Sequence, residues 1–269
     1  MFTKTNIVIG EKSGVRYAQG FVTFGPVKLN AYCFEVDGIL IDSGSQSLST
    51  ELKSFFEQAD FDELYITHNH EDHTGGAAFL QQTYDTPVYI NEMSVNDCKQ
   101  VGTYPLYRKF FWGKRKPFEA KPIGKIFSSR HAIWDVIATP GHSKDHLSFL
   151  NRSTKQLFSG DLYLHPKTKV IMRNEDIPTI IASIEKILTY NFEEVFCCHA
   201  GYIKDGRKAL TDKLIYLTSL QEEVLALHNR GWKEKDIQKK FFPKKYPITY
   251  LSFGDWDSKH IIRTILAES

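Results

Sequence analysis

The chain has 269 residues, 42% of them hydrophobic and 25% charged, with a formal net charge of +2. That balance suits a globular protein large enough to bury a substantial core, and the net charge is too small to imply nucleic acid or an anionic membrane as the default partner. No stretch approaches the roughly 18 to 20 apolar residues that a membrane-spanning helix needs, so no membrane partner is expected.

The opening MFTKTNIVIGEKSG breaks its apolar run at Gly10, Glu11 and Lys12, unlike a secretory leader, and a cytoplasmic location is expected. TNIVIG, GVRYAQGFVTF, LNAYCFEV and GILIDSG then read as strands, with Asp37-Gly38 as a hairpin signal between two of them. Leu48, Leu52, Phe55 and Phe56 have helical spacing behind the candidate caps Ser47 and Ser49. ELYIT is a short buried strand, AAFLQQTY a helix and PVYI a strand, an alternation that predicts an α/β architecture. From Val95 to Gly124 the pattern turns irregular and basic, as expected of a long surface excursion. IWDVIATP, HLSFLN and KQLFSGDL return to strands, Ile177 to Tyr190 is a helix, EEVFCCHAG is another strand and a long helix covers about Lys208 to Asn229. The last forty residues read as short helices. Cys33, Cys98, Cys197 and Cys198 form no CxxC pair and read as buried thiols.

The most informative stretch is ITHNHEDHTGG at 66 to 76, where a strand ends in His68, His70, Asp72 and His73. His68 and His70 are spaced to face one metal ion, and Asp72 and His73 a neighbouring one; these are ligand types that Zn²⁺ takes. A solvated polar turn is the plainer reading. It must also account for three further islands, TPGHSKDH, FSGDL and CCHAG, each of which places a ligand-capable residue (His142, Asp161 and His199) just after an apolar strand-like run.

Taken in order, these motifs resemble the metallo-β-lactamase fold superfamily, whose signature is HxHxDH followed by separate His, Asp and His motifs. The resemblance covers roughly residues 5 to 215 and includes LIDSG, which matches an early aspartate motif at Asp42. It implies an α/β protein with an αββα four-layer sandwich, two mixed sheets face to face with helices outside and metals at one edge. It also implies a domain division: a catalytic domain over 1–215 and a helical C-terminal cap over 216–269. His68, His70 and His142 would hold one cation, Asp72, His73 and His199 a second, and Asp161 would bridge them. Asp42 would orient a ligand histidine through its other ring nitrogen or steady the loop, the plainer reading being a turn aspartate beside Gly44. The implied cofactor is two Zn²⁺ per chain, with Fe or Mn as alternatives, and the implied chemistry is hydrolysis by a metal-bridging hydroxide, with Asp72 as catalytic residue orienting it or moving a proton.

Asp161, rather than a cysteine or serine, and the missing leader argue against a secreted β-lactamase. His70 departs from the flavodiiron pattern. What remains resembles the branch of glyoxalase II and lactonases, so a small ester, thioester or lactone substrate is expected. The alternatives are a phosphodiesterase or ribonuclease of the same fold and a noncatalytic metal-binding protein. EEVLALHNRGWKEKDIQKKFF resembles the helical tail of hydrolases related to β-lactamase-like protein 2, a branch that includes an endoribonuclease.

Between Cys98 and Lys125 eight cations, Arg108 and Arg115 among them, face a single acid, Glu119, with Tyr104, Tyr107, Phe110, Phe111 and Trp112 interspersed. Such a run is usually a solvated face, but its position between His73 and His142 raises an anionic small-molecule substrate. His146 is expected to pack rather than ligate, His165 to reach the substrate or simply turn, and Cys198 to be a buried thiol. The tail is expected to cap the sandwich with Trp232, Trp256, Ile261, Ile262 and Ile265 as core. This is preferred over nucleic-acid binding, because its lysines are spread over loops as much as over one face.

Overall fold

The computed structural model describes residues 3–267. Four strands open the chain, β1 (Lys4–Lys12), β2 (Val15–Phe24), β3 (Val27–Val36) and β4 (Ile39–Ile41), and they meander antiparallel. Ser13-Gly14 and Asp37-Gly38 connect two of the pairs, and all four residues have positive φ (48°, 74°, 50° and 79°), as a two-residue hairpin turn matched to the strand twist requires.

Helix α1 (Ser49–Gln58) then crosses to β5 (Glu63–Tyr65), which is parallel to β4. The short α2 (Glu71–Thr74) and α3 (Ala77–Tyr84) lead to β6 (Val88–Ile90), and α4 (Val95–Cys98) and α5 (Leu106–Trp112) lead to β7 (Lys121–Pro122), completing a seven-stranded sheet in sequence order.

The second sheet takes β8 (Ile126–Ser128), β9 (Ile133–Ala138), β10 (Leu147–Asn151) and β11 (Gln156–Gly160). After β12 (Ile171–Met172) and α6 (Ile177–Leu188) it gains β13 (Glu194–Cys197) and β14 (Gly201–Ile203), in the spatial order β14-β13-β11-β10-β9-β8. The chain ends in α7 (Gly206–Asn229), α8 (Glu234–Phe241), α9 (Pro247–Leu251), β15 (Trp256–Asp257) and α10 (Lys259–Leu266), with β15 paired to β12.

Side chains on a strand alternate between its two faces, and that period sorts the core into layers. Ile39, Ile41 and Tyr65 point to a central layer with Trp134, Phe149, Phe158 and Phe196, whereas Leu40 and Leu64 point outward to Leu52, Phe55 and Leu80 of α1 and α3. On the second sheet Leu150, Leu157 and Val195 point outward to Ile180, Ile184 and Leu210 of α6 and α7. The result is the expected αββα sandwich, with its two sheets glued by aromatics such as the stacked Phe158 and Phe196 rings, 4.8 Å apart.

Two expectations change. The basic excursion is not simply a surface loop: it contains α4 and α5, and Phe111, Trp112 and Phe118 bury against the first sheet's outer layer because apolar residues recur among its cations. In the tail, Ile261, Ile262 and Ile265 are buried in the outer layer of the second sheet, but Trp232 is 43% exposed and Trp256 only half-buried. Helix α7 runs through positions 215 and 216 without a break, and its Leu210 and Leu220 share one apolar cluster with Ile237 and Ile265.

Candidate metal centre

Strands β4 and β5 run parallel in one sheet, as do β11 and β13 in the other, so their C-terminal ends open on one edge of the sandwich. Asp42 follows β4, His68 to His73 follow β5, His142 follows β9, Asp161 follows β11 and His199 follows β13. The loop after β5 lies tight against the turn after β4: a Cβ on Gly75 would sit 2.2 Å from the Gln46 backbone nitrogen, and one on Gly76 2.4 Å from the Ser43 carbonyl. The two glycines of the motif are therefore needed for close approach.

All seven residues singled out as ligands converge. His70 Nδ1 lies 2.9 Å from His68 Nε2 and 3.0 Å from His142 Nε2. Asp161 Oδ2 lies 3.0 Å from His199 Nε2, 3.2 Å from His142 Nε2, 3.6 Å from His73 Nε2 and 4.0 Å from His68 Nε2. Asp72 Oδ2 is 3.5 Å from His199 Nε2 and 3.8 Å from His73 Nε2. One carboxylate oxygen thus stands between two groups of imidazoles.

The opposite ring nitrogens fix which atom each neutral histidine offers. Thr67 Oγ1 donates to Asp42 Oδ2 and so accepts from His68 Nδ1, which leaves the His68 Nε2 lone pair free. His73 Nδ1 donates to Asp42 Oδ2 at 2.8 Å, His142 Nδ1 to Glu175 Oε2 at 3.2 Å and His199 Nδ1 to the Asn30 carbonyl. Lone pairs aimed at one another at about 3 Å repel, and His73 Nε2 and Asp161 Oδ1 are buried with no hydrogen-bond partner among the described residues. The donor set, imidazole nitrogen and carboxylate oxygen turned inward with outer atoms already satisfied, fits divalent cations.

Burial alone would raise the Asp161 carboxyl, but His199, His73 and His142 hold it well below the usual range. Burial pushes His68 and His70 well down. It opposes the charged form of His73 and His199 too, yet their neighbouring carboxylates, led by Asp161, raise both.

Asp42 is buried in the left-handed region, φ 59°, and accepts from the Thr67 amide and hydroxyl, His73 and the Cys198 thiol. Burial keeps that thiol protonated, so the cluster of Asp42, His73 and Cys198 is a hydrogen-bonded support. All four cysteines are buried and free. His146 packs as expected and also braces a ligand, since its Nδ1 bonds Thr139 Oγ1 and its Nε2 accepts from the Asp161 amide at 2.8 Å.

Several contributors were not visible in the sequence. Glu175 and the Asn30 carbonyl orient ligands from over 30 residues away, and no residue spacing announces them. Asn69 and Glu71, inside the motif, are gripped by Arg115 and Arg108 of the basic segment. Beside the convergent side chains opens a cleft of about 280 Å³, walled by Tyr107, Arg108, Trp112, His165, Met172 and Trp256. Of the eight cations counted between Cys98 and Lys125, Arg108 lines it; His165 does so from the exposed rim.

A sequence model of the family described as metallo-beta-lactamase superfamily matches residues 30–199. The chain is 25% identical over 226 residues to an atrochrysone carboxyl ACP thioesterase of Pseudocercospora fijiensis (strain CIRAD86), a match covering 81% of this chain and 59% of that protein. It is 28% identical over 192 residues to the beta-lactamase-like protein 2 homolog of Caenorhabditis elegans, covering 70% of this chain and 60% of that one. The chain thus spans less than two thirds of the length of these relatives. Among solved structures, TTHA1623 in a di-iron-bound form has a TM-score of 0.55 and 26% identity, over 70% of this chain and 96% of that chain.

Proposed function

The chain belongs to the metallo-β-lactamase superfamily of hydrolases, and from that premise we propose that it is a dinuclear metal-dependent hydrolase of small esters, thioesters or lactones, thioesters being favoured. The observation that carries this reading is the position of Asp161 Oδ2, within 4.0 Å of four inward-facing imidazole nitrogens and beside buried polar atoms with no protein partner. The name of the fungal relative supports the thioester class, and the di-iron form of the solved neighbour supports a paired site.

His68, His70 and His142 would hold one cation and Asp72, His73 and His199 the other, with Asp161 facing both. Two divalent cations bound there supply Lewis acidity and a nucleophilic water near neutral pH; zinc, iron and manganese all suit these donors. Asp72 lines the cleft, and its carboxylate accepts the proton lost by the attacking water and returns it to the leaving group. Tyr107, Trp112 and Trp256 offer apolar surface to the rest of the substrate. Residues 216–269 act in this reading as a cap that closes one side of the cleft through Trp256.

Metal analysis should find close to two ions per chain, and chelation should abolish hydrolysis in a panel of ester, thioester, lactone and bis(p-nitrophenyl) phosphate substrates. Activity on the phosphodiester alone would replace the proposed substrate class with a phosphodiesterase. Full activity after verified metal removal would end the metal-dependent reading.

A further inference from the structure

Arg108 lies in the wall of the cleft, beside His70 and Asp72, with a side chain only 11% exposed. A guanidinium carries five N–H donors in a fixed planar fork. Nε and Nη2 are spent on the Glu71 carboxylate, at 2.5 and 2.7 Å. Among the described residues Nη1 meets no oxygen: its partner is the Met172 sulfur at 3.6 Å, a weak acceptor. The edge formed by Nη1 and the second Nη2 hydrogen is therefore held rigid, nearly dry and short of an acceptor.

The remaining cations on the wall are differently placed. Lys28 Nζ sits over the Phe21 ring at 3.8 Å, and Lys169 Nζ is 5.8 Å from the Tyr246 ring centroid. Lys28, Lys167 and Lys169 are exposed at the rim, and the acids on the wall, Asp72 and Asp161, belong to the convergent donor set. Arg115 turns away to Asn69. One buried fork thus faces the cleft in a wall whose unassigned charges are all positive.

We propose that Arg108 is the specificity-determining residue of this cleft, its free guanidinium edge binding a carboxylate carried by the substrate, with Glu71 fixing the fork from behind. For its substrate this rests on the hydrolase reading, but the binding it describes can be measured without turnover. A charge-assisted bond of this kind changes affinity on the order of tenfold to a hundredfold.

The test compares succinate, glutarate and adipate with their monomethyl esters, by calorimetry or NMR titration on the metal-loaded protein. Each pair shares one carboxylate and differs in the second. At least one diacid should bind the wild type tenfold or more tighter than its monoester, and R108M should erase that gap while R108K keeps only part of it. E71Q should retain or widen the gap, because the fork is then less neutralised; a pair that merely braces the loop would make E71Q and R108M fail alike. In kinetics, thioesters bearing a free carboxylate should show a similar advantage in kcat/KM over their methyl esters, lost in R108M. Equal binding of every diacid and monoester by the wild type overturns the proposal, as does an unchanged gap in R108M. If R108M does not fold, R108K and E71Q decide: a gap narrowed by R108K but kept or widened by E71Q supports the proposal, and a gap narrowed alike by both overturns it. Arg108-dependent diacid binding without hydrolysis of any ester, thioester or lactone would remove the proposed substrate reading and leave the subsite standing.

Discussion

The two sheets contribute to the metal centre in different ways. The first gives His68, His70, Asp72 and His73 from one six-residue segment, the loop after β5 and the start of α2, while the second gives His142, Asp161 and His199 one at a time from positions one to four residues past the ends of three strands. A strand end inherits its position from sheet register, so each of those three needs little more than one partner, Glu175, the His146 ring or the Asn30 carbonyl. A loop inherits much less. It is therefore gripped from several sides: Asp145 accepts from the Asn69 amide, Arg115 donates to the Asn69 side chain, Arg108 holds Glu71 and Asp42 holds His73. Dense residue spacing and dense bracing go together.

The sharpest way to break this division is to remove the atom both halves share. Asp161→Ala should lose both cations and lower kcat/KM by on the order of a thousandfold, the several kcal/mol that correctly placed cations contribute, as read by metal analysis and steady-state kinetics. Next in size is Asp42→Ala, which strips acceptors from His73, Thr67 and Cys198. Metal affinity should fall roughly 10- to 100-fold and unfolding free energy by about 3 kcal/mol, as measured by chelator competition and urea denaturation.

A more discriminating pair follows. Glu175→Gln, behind His142, should weaken the metal on the order of tenfold with a smaller loss of stability, about 1 kcal/mol, because its one amide oxygen can receive either His142 Nδ1 or the Met172 amide but not both. Arg115→Met, behind the loop, should lower both metal affinity and stability, the latter by about 2 kcal/mol, since the half-buried Asn69 side chain and the Asp97 and Gln100 carbonyls lose the hydrogen bonds of the buried guanidinium. Equal stability losses in the two variants would contradict the contrast drawn above.

Acidification gives the smallest and most graded effect. Burial lowers His68 and His70, so they are neutral at ordinary pH, and only His142 of that group is raised against burial, by Glu175 and Asp161, so at most one proton has to leave there. His73 and His199 are raised, against the effect of burial, by Asp161 and the other carboxylates. A cation there must displace protons, so its affinity falls sooner as pH drops. Between roughly pH 8 and 6, around the ordinary histidine pKa, the ion beside His73 and His199 should leave first. Stoichiometry followed by metal analysis after equilibrium dialysis should step from two towards one; simultaneous loss of both ions would count against it.

The strands and the α/β alternation were legible because apolar patterning and the Asp37-Gly38 turn speak locally, while the sandwich itself followed from the family that the histidine and aspartate motifs resemble. The seven convergent side chains were legible because each stands just past an apolar run, where the chain must leave a sheet. What stayed hidden depends on distant contacts. Arg108 in a basic run is indistinguishable from a solvated cation until α5 folds over Glu71, and Glu175 has no neighbour in sequence that hints at His142. Trp232 and Trp256 are alike as letters, but one lies out in solvent and the other against the cleft. The basic segment looked peripheral because charge dominated its composition, whereas Phe111, Trp112 and Phe118 decide where it sits.

The pairing of β12 with β15 carries a mechanical consequence. Trp256 lies opposite Met172 in register, and the Met172 amide is held by Glu175, the same carboxylate that steadies His142. Two rungs of ladder thus couple the far end of the chain to a ring nitrogen at the heart of the molecule. A protease nick just ahead of Trp256 would leave every inward-facing donor in place, yet loosen the linkage that keeps one of them aimed.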